Sequence, residues 1–541
     1  MDKYLEWLEN TSDYPYLHDE LAAIENDEAE LEDRFYRDLA FGTGGLRGLI
    51  GAGTNRMNIF TVGRATFGLA DYILEHDIAR SVVIAYDSRR MSREFAERAA
   101  EVLSSKGITA YLFSEITPTP VLSYAVRYLS AGAGIVITAS HNPKEYNGYK
   151  VYNERGCQIT DNAAAAILDK INSKGYFEKI TADESHIKKL GGEILDSYLK
   201  DISKLSLFDE VAAYAPKIVY TPLHGTGNIP VKKILAMQGI TEPEIVKEQE
   251  MPDGEFTTCP YPNPEEKSTL SLAMEYARKN EAELILATDP DADRVGIAVR
   301  DNNGNFTLLN GNETGILLAN YMLSRKSALG VLGDLPTVIK TIVSTDMIFD
   351  IAAEYGADVI EVLTGFKYIG EKMDEIDNFV VGMEESYGYL VGKHARDKDA
   401  VSAVMMIAEM FAYYKKQGRT LYSVLCDLYE RHGYYLTDLT SKTYAGSSGA
   451  KTMKAIIDKI RANPTLSFFD EALEFTDFAI GVDGLPKSDV LRFKGRTVRI
   501  LIRPSGTEPK LKIYYQIKAK SFEDAQIELA YVKSQIESLL S

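Results

Sequence analysis

Cysteine is scarce in this chain. Its three residues, Cys157, Cys259 and Cys426, lie far apart and form no CxxC pair, so neither a disulfide scaffold nor a thiolate zinc site is expected, and the usage fits a reducing compartment. No apolar run reaches the roughly 18 residues of a membrane span. The first nine residues are acidic and amphipathic, without a signal-peptide pattern, which makes a soluble, cytoplasmic protein the expectation. Positive charge is also in deficit: 60 Lys and Arg face 79 Asp and Glu, a formal net charge of −19. Such a field repels nucleic acid and anionic membrane surfaces, and neither is expected as a partner. It repels an anionic small substrate too, so a phosphorylated one would need local Arg and Lys to reverse the field within a cleft.

The 541 residues exceed what one hydrophobic core serves and predict three to four domains. Hydrophobic residues at 45% and charged residues at 26% are ordinary for a soluble globular protein. Up to about residue 39, Glu, Asp, Leu and Tyr recur at helical spacing, which predicts one or two acidic surface helices. From Ser81 onward short apolar runs alternate with amphipathic stretches, the pattern of βαβ units. Three blocks share this punctuation. Val82–Tyr86 leads to Gly134–Ile137 and ends at 138–142; Ile218–Tyr220 leads to Leu284–Ala287 and ends at 288–291; Val338–Val343 leads to Phe379–Gly382 and ends at 384–388. Open α/β sheets bind ligands at the carboxyl ends of their strands, so the expected fold is α/β: three similar mixed-sheet domains, a quasi-threefold repeat around a shared cleft. Strands at 497–502 and 510–516, followed by a helix from Glu523, add a smaller α+β C-terminal domain.

Asp289, Asp291 and Asp293 alternate beside Pro290, which disfavours helix, so an extended backbone would turn all three carboxylates to one side. Converging negative charges need a cation, and oxygen ligands without His or Cys favour Mg²⁺ or a similar ion. An EF-hand is excluded, because its sixth and twelfth positions would be Arg294 and Arg300. Ser140-His141 follows an apolar strand without the G-x-S-x-G elbow of a hydrolase; alone, it equally suits an ordinary turn. His141 and Lys150 offer donors suited to phosphate. The segment 42–48, GTGGLRG, lets backbone approach an anion while Arg47 supplies charge. It is neither a Walker loop nor G-x-G-x-x-G, so ATP and dinucleotides lose support. Arg503, Ser505, Gly506, Thr507 and Lys510 form a second anion cradle. Glu384 and Ser386, with Thr364, Lys367, His394, Arg396 and Lys398 nearby in sequence, mix groups for hydroxyls and for phosphate. A polyhydroxylated, phosphorylated ligand fits both chemistries. His18, His76, His186, His224 and His432 join no such cluster.

The segments FGTGGLRG, TASHNPKEYNGYKVY, ATDPDADRVG, EESYGY and RPSGTEPK, in this order from about Phe41 to Gln516, resemble the α-D-phosphohexomutase superfamily. NPKEYNGYK, DPDADR, EESYGY and HARDKDA place the likeness nearest its bacterial phosphoglucomutase/phosphopentomutase branch. The resemblance implies a phosphohexomutase, an isomerase that interconverts glucose 1-phosphate and glucose 6-phosphate. Ser140 would be a phosphoserine and would complete, through a phosphoryl oxygen, the Mg²⁺ site of Asp289, Asp291 and Asp293. Arg47, His141 and Lys150 would act with Ser140 in catalysis. Thr43, Arg294, Thr364, Lys367, Glu384, Ser386, His394 and Lys398 would bind substrate, and Arg503, Ser505, Gly506 and Thr507 the phosphate that does not react. Glucose 1,6-bisphosphate would be both intermediate and activator. Four domains would span 1–205 (N-terminal helices, GTGGLRG and phosphoserine loops), 206–315 (metal loop), 316–440 (sugar loop) and 441–541 (phosphate loop), the last a mobile lid that excludes water. One departure is Ala400 after Asp399, where Gly is usual, which touches the loop's backbone shape. A phosphopentomutase, a mixed-specificity phosphomannomutase and a catalytically silent sugar-phosphate-binding protein are the alternatives. Oligomeric state is not legible.

Overall fold

The computed structural model describes residues 2–540 apart from 43, 445–448, 483 and 505–509. The chain forms two compact units. One comprises residues 1–309, 366–379 and 387–418, the other 310–365, 380–386 and 419–541.

In the first unit a six-stranded sheet runs in the order Gly45–Leu49, Tyr146–Asn153, Ala133–Ile137, Ser81–Tyr86, Thr109–Phe113, Ile187–Leu190. The first two pairings are antiparallel and the other three parallel. Val82, Val83, Ile84, Ile135, Val136 and Ile137 are all fully buried, which is why these strands read as continuous apolar runs rather than alternating ones. A second sheet has the order Phe306–Leu309, Val295–Arg300, Leu284–Thr288, Ile218–Thr221, Glu244–Ile245. In both sheets the strand that ends in a functional loop lies between an antiparallel hairpin partner and a parallel strand from earlier in the chain.

The second unit repeats the inner order with Asp358–Val362, Thr337–Thr341 and Phe379–Glu384. It also holds a short antiparallel pair, Ser467–Phe468 with Glu471–Ala472, and a five-stranded antiparallel sheet in the order Tyr434–Thr443, Lys510–Ala519, Val498–Pro504, Leu491–Lys494, Glu474–Asp477. The helix Phe522–Leu539 seals that sheet with Ala525, Leu529, Val532 and Ile536. Strand and helix boundaries of the four blocks lie within a few residues of those expected.

The N-terminal stretch departs from expectation. It forms three helices, Asp2–Asn10, Pro15–Ala23 and Glu28–Phe35, and they are not a surface decoration. Trp7, 1% exposed, enters a ring cluster with Phe35, Phe60, Tyr176 and Phe177, while Glu20 accepts from the Ala52 amide at 2.9 Å and meets Arg34 at 2.6 Å. The acids dominate the composition, but Tyr4, Trp7, Leu17 and Leu21 are buried against the rest of the unit.

Among the described residues, no helix is long and apolar enough to cross a membrane.

Candidate active site

Ser140 follows the strand Ala133–Ile137 in a left-handed conformation, φ 52°, unfavourable for an L-residue with a side chain. This places its Oγ against another loop of the same unit: it donates to Asp289 Oδ2 at 2.7 Å and lies 3.2 Å from His141 Nδ1. Burial, with Arg294 and Arg47 close by, drives the His141 pKa well below the usual imidazole value, so the ring is neutral at pH 7.

Asp289, Asp291 and Asp293 are each at most 1% exposed, and one oxygen from each comes within 4.8 Å of the others. Convergence was expected, the backbone route was not. The segment is a tight turn rather than an extended strand: Ala292 has φ 51°, its amide donates to Asp289 O at 2.9 Å, and the amides of Asp293 and Arg294 donate to Asp289 Oδ1 at 3.1 and 3.0 Å. The first carboxylate folds the loop and so brings the other two beside it.

Cations enter from distant segments. Lys150 Nζ is 2.9 Å from Asp291 Oδ2 and 3.5 Å from Asp293 Oδ2. Lys398 Nζ is 3.2 Å from Asp293 Oδ2 and 3.2 Å from Asp397 Oδ1. Arg294 reaches Glu265 at 2.6 Å and Asp293 at 3.8 Å, and Arg47 donates to Asn142 Oδ1 at 3.1 Å. Burial lowers the Arg47 pKa against the pull of Asp291 and Asp293, with Arg294 adding to the fall. Burial, Asp291 and Asp293 raise the Asp289 pKa well above the carboxylate range, whereas at Asp291 the raising effect of burial is overcome, chiefly by Lys150. Asp291 Oδ1 and Asp293 Oδ1 are buried and have no hydrogen-bond partner, an expensive condition for ionised oxygen. Hard, orphaned oxygens in a closed turn fit a metal ion, and the triad supports a metal-dependent enzyme.

In the GTGGLRG segment, the glycines serve packing as well as any anion. Gly45, φ 147°, pairs with Lys150, and a Cβ there would fall 1.8 Å from the Tyr149 carbonyl oxygen. Thr43 lies outside the described residues, as do Ser505, Gly506 and Thr507. Ala400, at the departure from the family pattern, heads a regular helix, Ala400–Lys416, capped by Asp399; no left-handed residue is needed there.

His394 and Lys367 have other partners than the triad. The His394 Nε2 is 2.5 Å from Asp399 Oδ2, a carboxylate that Tyr198 also holds at 2.7 Å. Lys367 Nζ pairs with Asp161 at 2.9 Å. In the second unit, Glu384 is buried and accepts from the Gly365 amide at 2.9 Å, and the neighbouring Thr364 hydroxyl is buried without a partner. Ser386 is half-buried. Burial and the neighbours Glu385 and Glu384 raise the Tyr514 pKa, while Arg503 opposes them, so Arg503 and Glu384 share one environment around Tyr514.

Several contributors escaped the sequence reading. Thr119 donates to Asp291 through its amide, at 2.9 Å to the carbonyl, and through its hydroxyl, at 2.8 Å to Oδ2. Asp397, held by Tyr152 at 2.7 Å, orients Lys398; its place inside HARDKDA was the available signal.

The chain matches the family models described as "Phosphoglucomutase/phosphomannomutase, alpha/beta/alpha" domain I over residues 38–177, domain II over 196–304 and domain III over 310–432, and the C-terminal domain over 449–528. It is 36% identical to the phosphoglucomutase of Staphylococcus aureus (strain USA300), with 97% of each chain covered. It is also 36% identical to that of Staphylococcus haemolyticus, with 91% of this chain and 92% of the other covered. Among solved structures, pp63/parafusin (phosphoglucomutase) from Paramecium, in an open form, shares the fold at TM-score 0.72 and 19% identity, with 93% and 95% covered. A phosphoglucomutase/phosphomannomutase family protein from Burkholderia thailandensis does so at TM-score 0.70 and 19% identity, with 92% and 97% covered.

Proposed function

Because the chain belongs to the phosphoglucomutase/phosphomannomutase family, and so is an isomerase that moves a phosphoryl group within a sugar phosphate, we propose that it interconverts glucose 1-phosphate and glucose 6-phosphate. The reaction runs through phosphorylated Ser140 and a glucose 1,6-bisphosphate intermediate, in a cytoplasmic enzyme. One observation carries the reading: the Ser140 hydroxyl, held in a left-handed conformation, is 2.7 Å from a carboxylate of a buried acidic triad in which two oxygens have no hydrogen-bond partner.

Asp289, Asp291 and Asp293 would hold Mg²⁺, which when bound neutralises charge on a phosphoryl oxygen. Lys150 keeps Asp291 ionised, and Lys150 and Lys398 aim Asp291 and Asp293. Arg47 and Arg294, with fork-shaped donors, suit the remaining phosphoryl oxygens. The neutral His141 ring can take or return a proton at the reacting hydroxyl. Glu384 and Ser386 would bind sugar hydroxyls, and Arg503 with Ser505, Gly506 and Thr507 the phosphate that stays. In the first half-cycle phosphorylated Ser140 donates to O6 of glucose 1-phosphate; the bisphosphate reorients and returns its phosphate from C1 to Ser140. Phosphate monoesters resist water strongly enough for the phosphoserine to await the next sugar.

The test is a mutase assay across glucose, mannose and ribose 1-phosphates, with and without glucose 1,6-bisphosphate, together with intact mass. Glucose 1-phosphate should turn over fastest, a fraction of chains should be heavier by one phosphoryl group, and Ser140→Ala should lose both turnover and the added mass while unfolding at an unchanged temperature. Faster turnover of ribose 1-phosphate would assign a phosphopentomutase instead.

A further inference from the structure

Both backbone polar groups of Ser140 are tied into one closed circuit of buried side chains. The Ser140 amide donates to Thr138 Oγ1 at 2.8 Å, and that hydroxyl donates to Asp87 Oδ2 at 2.6 Å. Asp87 Oδ2 lies 3.3 Å from Arg89 Nε, and Arg89 Nη2 donates back to the Ser140 carbonyl at 2.5 Å. The guanidinium also donates to the carbonyls of Asn142, Pro143 (2.8 Å) and Tyr146 (3.1 Å), so four carbonyls of one loop converge on it. Asp87 is fixed in turn by the Arg89 amide at 3.0 Å and the Ser92 hydroxyl at 2.7 Å. Both charged side chains are completely excluded from solvent.

We propose that Asp87 and Arg89, acting through Thr138, are positioning residues of the transfer step: the circuit holds Ser140 in its left-handed conformation and thereby sets its Oγ at 2.7 Å from Asp289. The proposal rests on the phosphoserine reading. A left-handed serine reverts toward commoner backbone angles unless its surroundings over-determine it, and here the amide and the carbonyl are each gripped. Ser140 must serve as donor in one half-cycle and acceptor in the other, so one fixed placement has to suit both. A misplacement of about 1 Å costs on the order of 10²-fold in rate. Only a planar fork with several N–H groups can satisfy four carbonyls at once; a lysine ammonium is a single point of charge.

A group that aligns the nucleophile without touching sugar should lower kcat and leave KM alone. Thr138→Val removes the link between the Ser140 amide and Asp87 at constant shape, and Arg89→Lys keeps the charge but loses the fork. Each should reduce kcat about 10- to 100-fold, within the range of a misplaced reacting group, with KM for glucose 1-phosphate within about twofold; each also leaves buried polar groups unpaired and so lowers the thermal midpoint by several degrees without unfolding the protein at assay temperature. Thr138→Ser, which restores the hydroxyl, should recover most of kcat. Folded variants with wild-type kcat, a KM that rises in step with the loss, or failure of both variants to fold would each overturn the proposal, the last by assigning the circuit to the fold alone. Intact mass keeps the two readings apart: a wild type without phosphate on Ser140 defeats the phosphoserine, whereas a phosphorylated wild type with unaffected variants defeats only the circuit.

Discussion

In the first unit Lys150 and Lys398 meet Asp289, Asp291 and Asp293 at a buried turn; in the second, Lys340, Asp346, Glu361 and Arg499 gather where the strands Thr337–Thr341 and Asp358–Val362 meet Val498–Pro504. The side chains are of the same kinds. Lys340, fully buried, gives each of its three protons a partner: Ser344 O at 3.0 Å, Asp346 Oδ1 at 2.9 Å and Glu361 Oε1 at 2.8 Å. Arg499 joins Asp346 and donates to Ser344 O at 2.6 Å, and Gln516 accepts from the Asp346 amide at 2.7 Å. The carboxylates there are held low in pKa against burial, by Arg499 and Lys340 at Asp346 and by Lys340 and Arg499 at Glu361. At the triad the same kinds of group leave two carboxylate oxygens orphaned and one carboxyl pushed toward protonation. Perturbed pKa values alone therefore do not mark function, since structural networks produce them too. What sets the triad apart is the sign of the shortfall: its unpartnered buried atoms are carboxylate oxygens, which a cation can meet, whereas the second cluster's is the Arg499 Nε.

The sharpest way to break this contrast is to remove one negative charge from the triad. Asp289→Asn keeps an oxygen for the amides of Asp293 and Arg294 and removes a charge that burial, Asp291 and Asp293 disfavour, so the thermal midpoint should hold or rise, while turnover falls on the order of 10²- to 10³-fold, as for loss of one electrostatic stabiliser of a transition state. If the variant instead loses stability and keeps its rate, the triad is a structural cluster.

Removing a charge from the other cluster should do the reverse. Lys340→Met leaves Asp346 and Glu361 without their shared partner, and breaking a buried pair from one side costs about 3 to 5 kcal/mol. Urea unfolding should show that loss, with kcat per folded molecule within about threefold of wild type, because Lys340 bonds none of the residues given a role in the cycle. A Lys340→Met protein of normal stability and poor turnover would place this network in the reaction.

The two clusters were not equally legible. Three Asp residues at alternate positions after an apolar strand announce a cation site whatever the backbone does, so the triad was found although its turn was read as extended. Lys150 and Lys398 could be singled out from their sequence neighbourhoods, but not their contacts with Asp291 and Asp293, which span more than a hundred residues. Asp87 and Arg89 left no signal: the partners of Arg89 are mostly backbone carbonyls, which no side-chain pattern records, and Asp87 meets Thr138 from a distant segment. Lys340 sits inside Thr337–Thr341, a strand with all five residues buried, where a lone lysine looks like noise until its acids are brought beside it. The four strand blocks were read within a few residues because apolar runs of that length are a local signal. The N-terminal helices were misjudged because composition hid the few residues, Trp7, Leu17 and Leu21, that bury them.

A smaller effect separates two arginines that contact phosphate in the proposed cycle. Arg47 would meet charge that develops during transfer, so Arg47→Ala should mainly lower kcat. Arg503 would hold the phosphate that stays, in ground state and transition state alike, so Arg503→Ala should raise KM, and lower kcat too if that contact also drives closure. Loss of one charge-assisted contact, roughly 1.5 to 3 kcal/mol, corresponds to about a 10- to 150-fold fall in kcat/KM. Steady-state constants for both variants check the division, and identical profiles would defeat it.

The mildest expected effect is the acid titration of the satisfied cluster. Glu361, whose ordinary pKa is 4.5, and Asp346, whose ordinary pKa is 3.8, are both lowered in the folded protein. The unfolded chain therefore binds protons first as pH falls, and the stability these carboxylates contribute is complete above the ordinary values and drains away as pH drops through them toward the lowered folded ones. Glu361→Gln removes one such group while keeping an acceptor for Lys340. The gap in urea midpoint between wild type and Glu361→Gln should be widest near pH 7, begin to close below about pH 5 and be smallest at the lowest pH where the protein still folds. A gap that stays constant from pH 7 to pH 4 would mean that Glu361 contributes by packing rather than by charge, and the second cluster would then no longer stand as the electrostatically satisfied counterpart of the first.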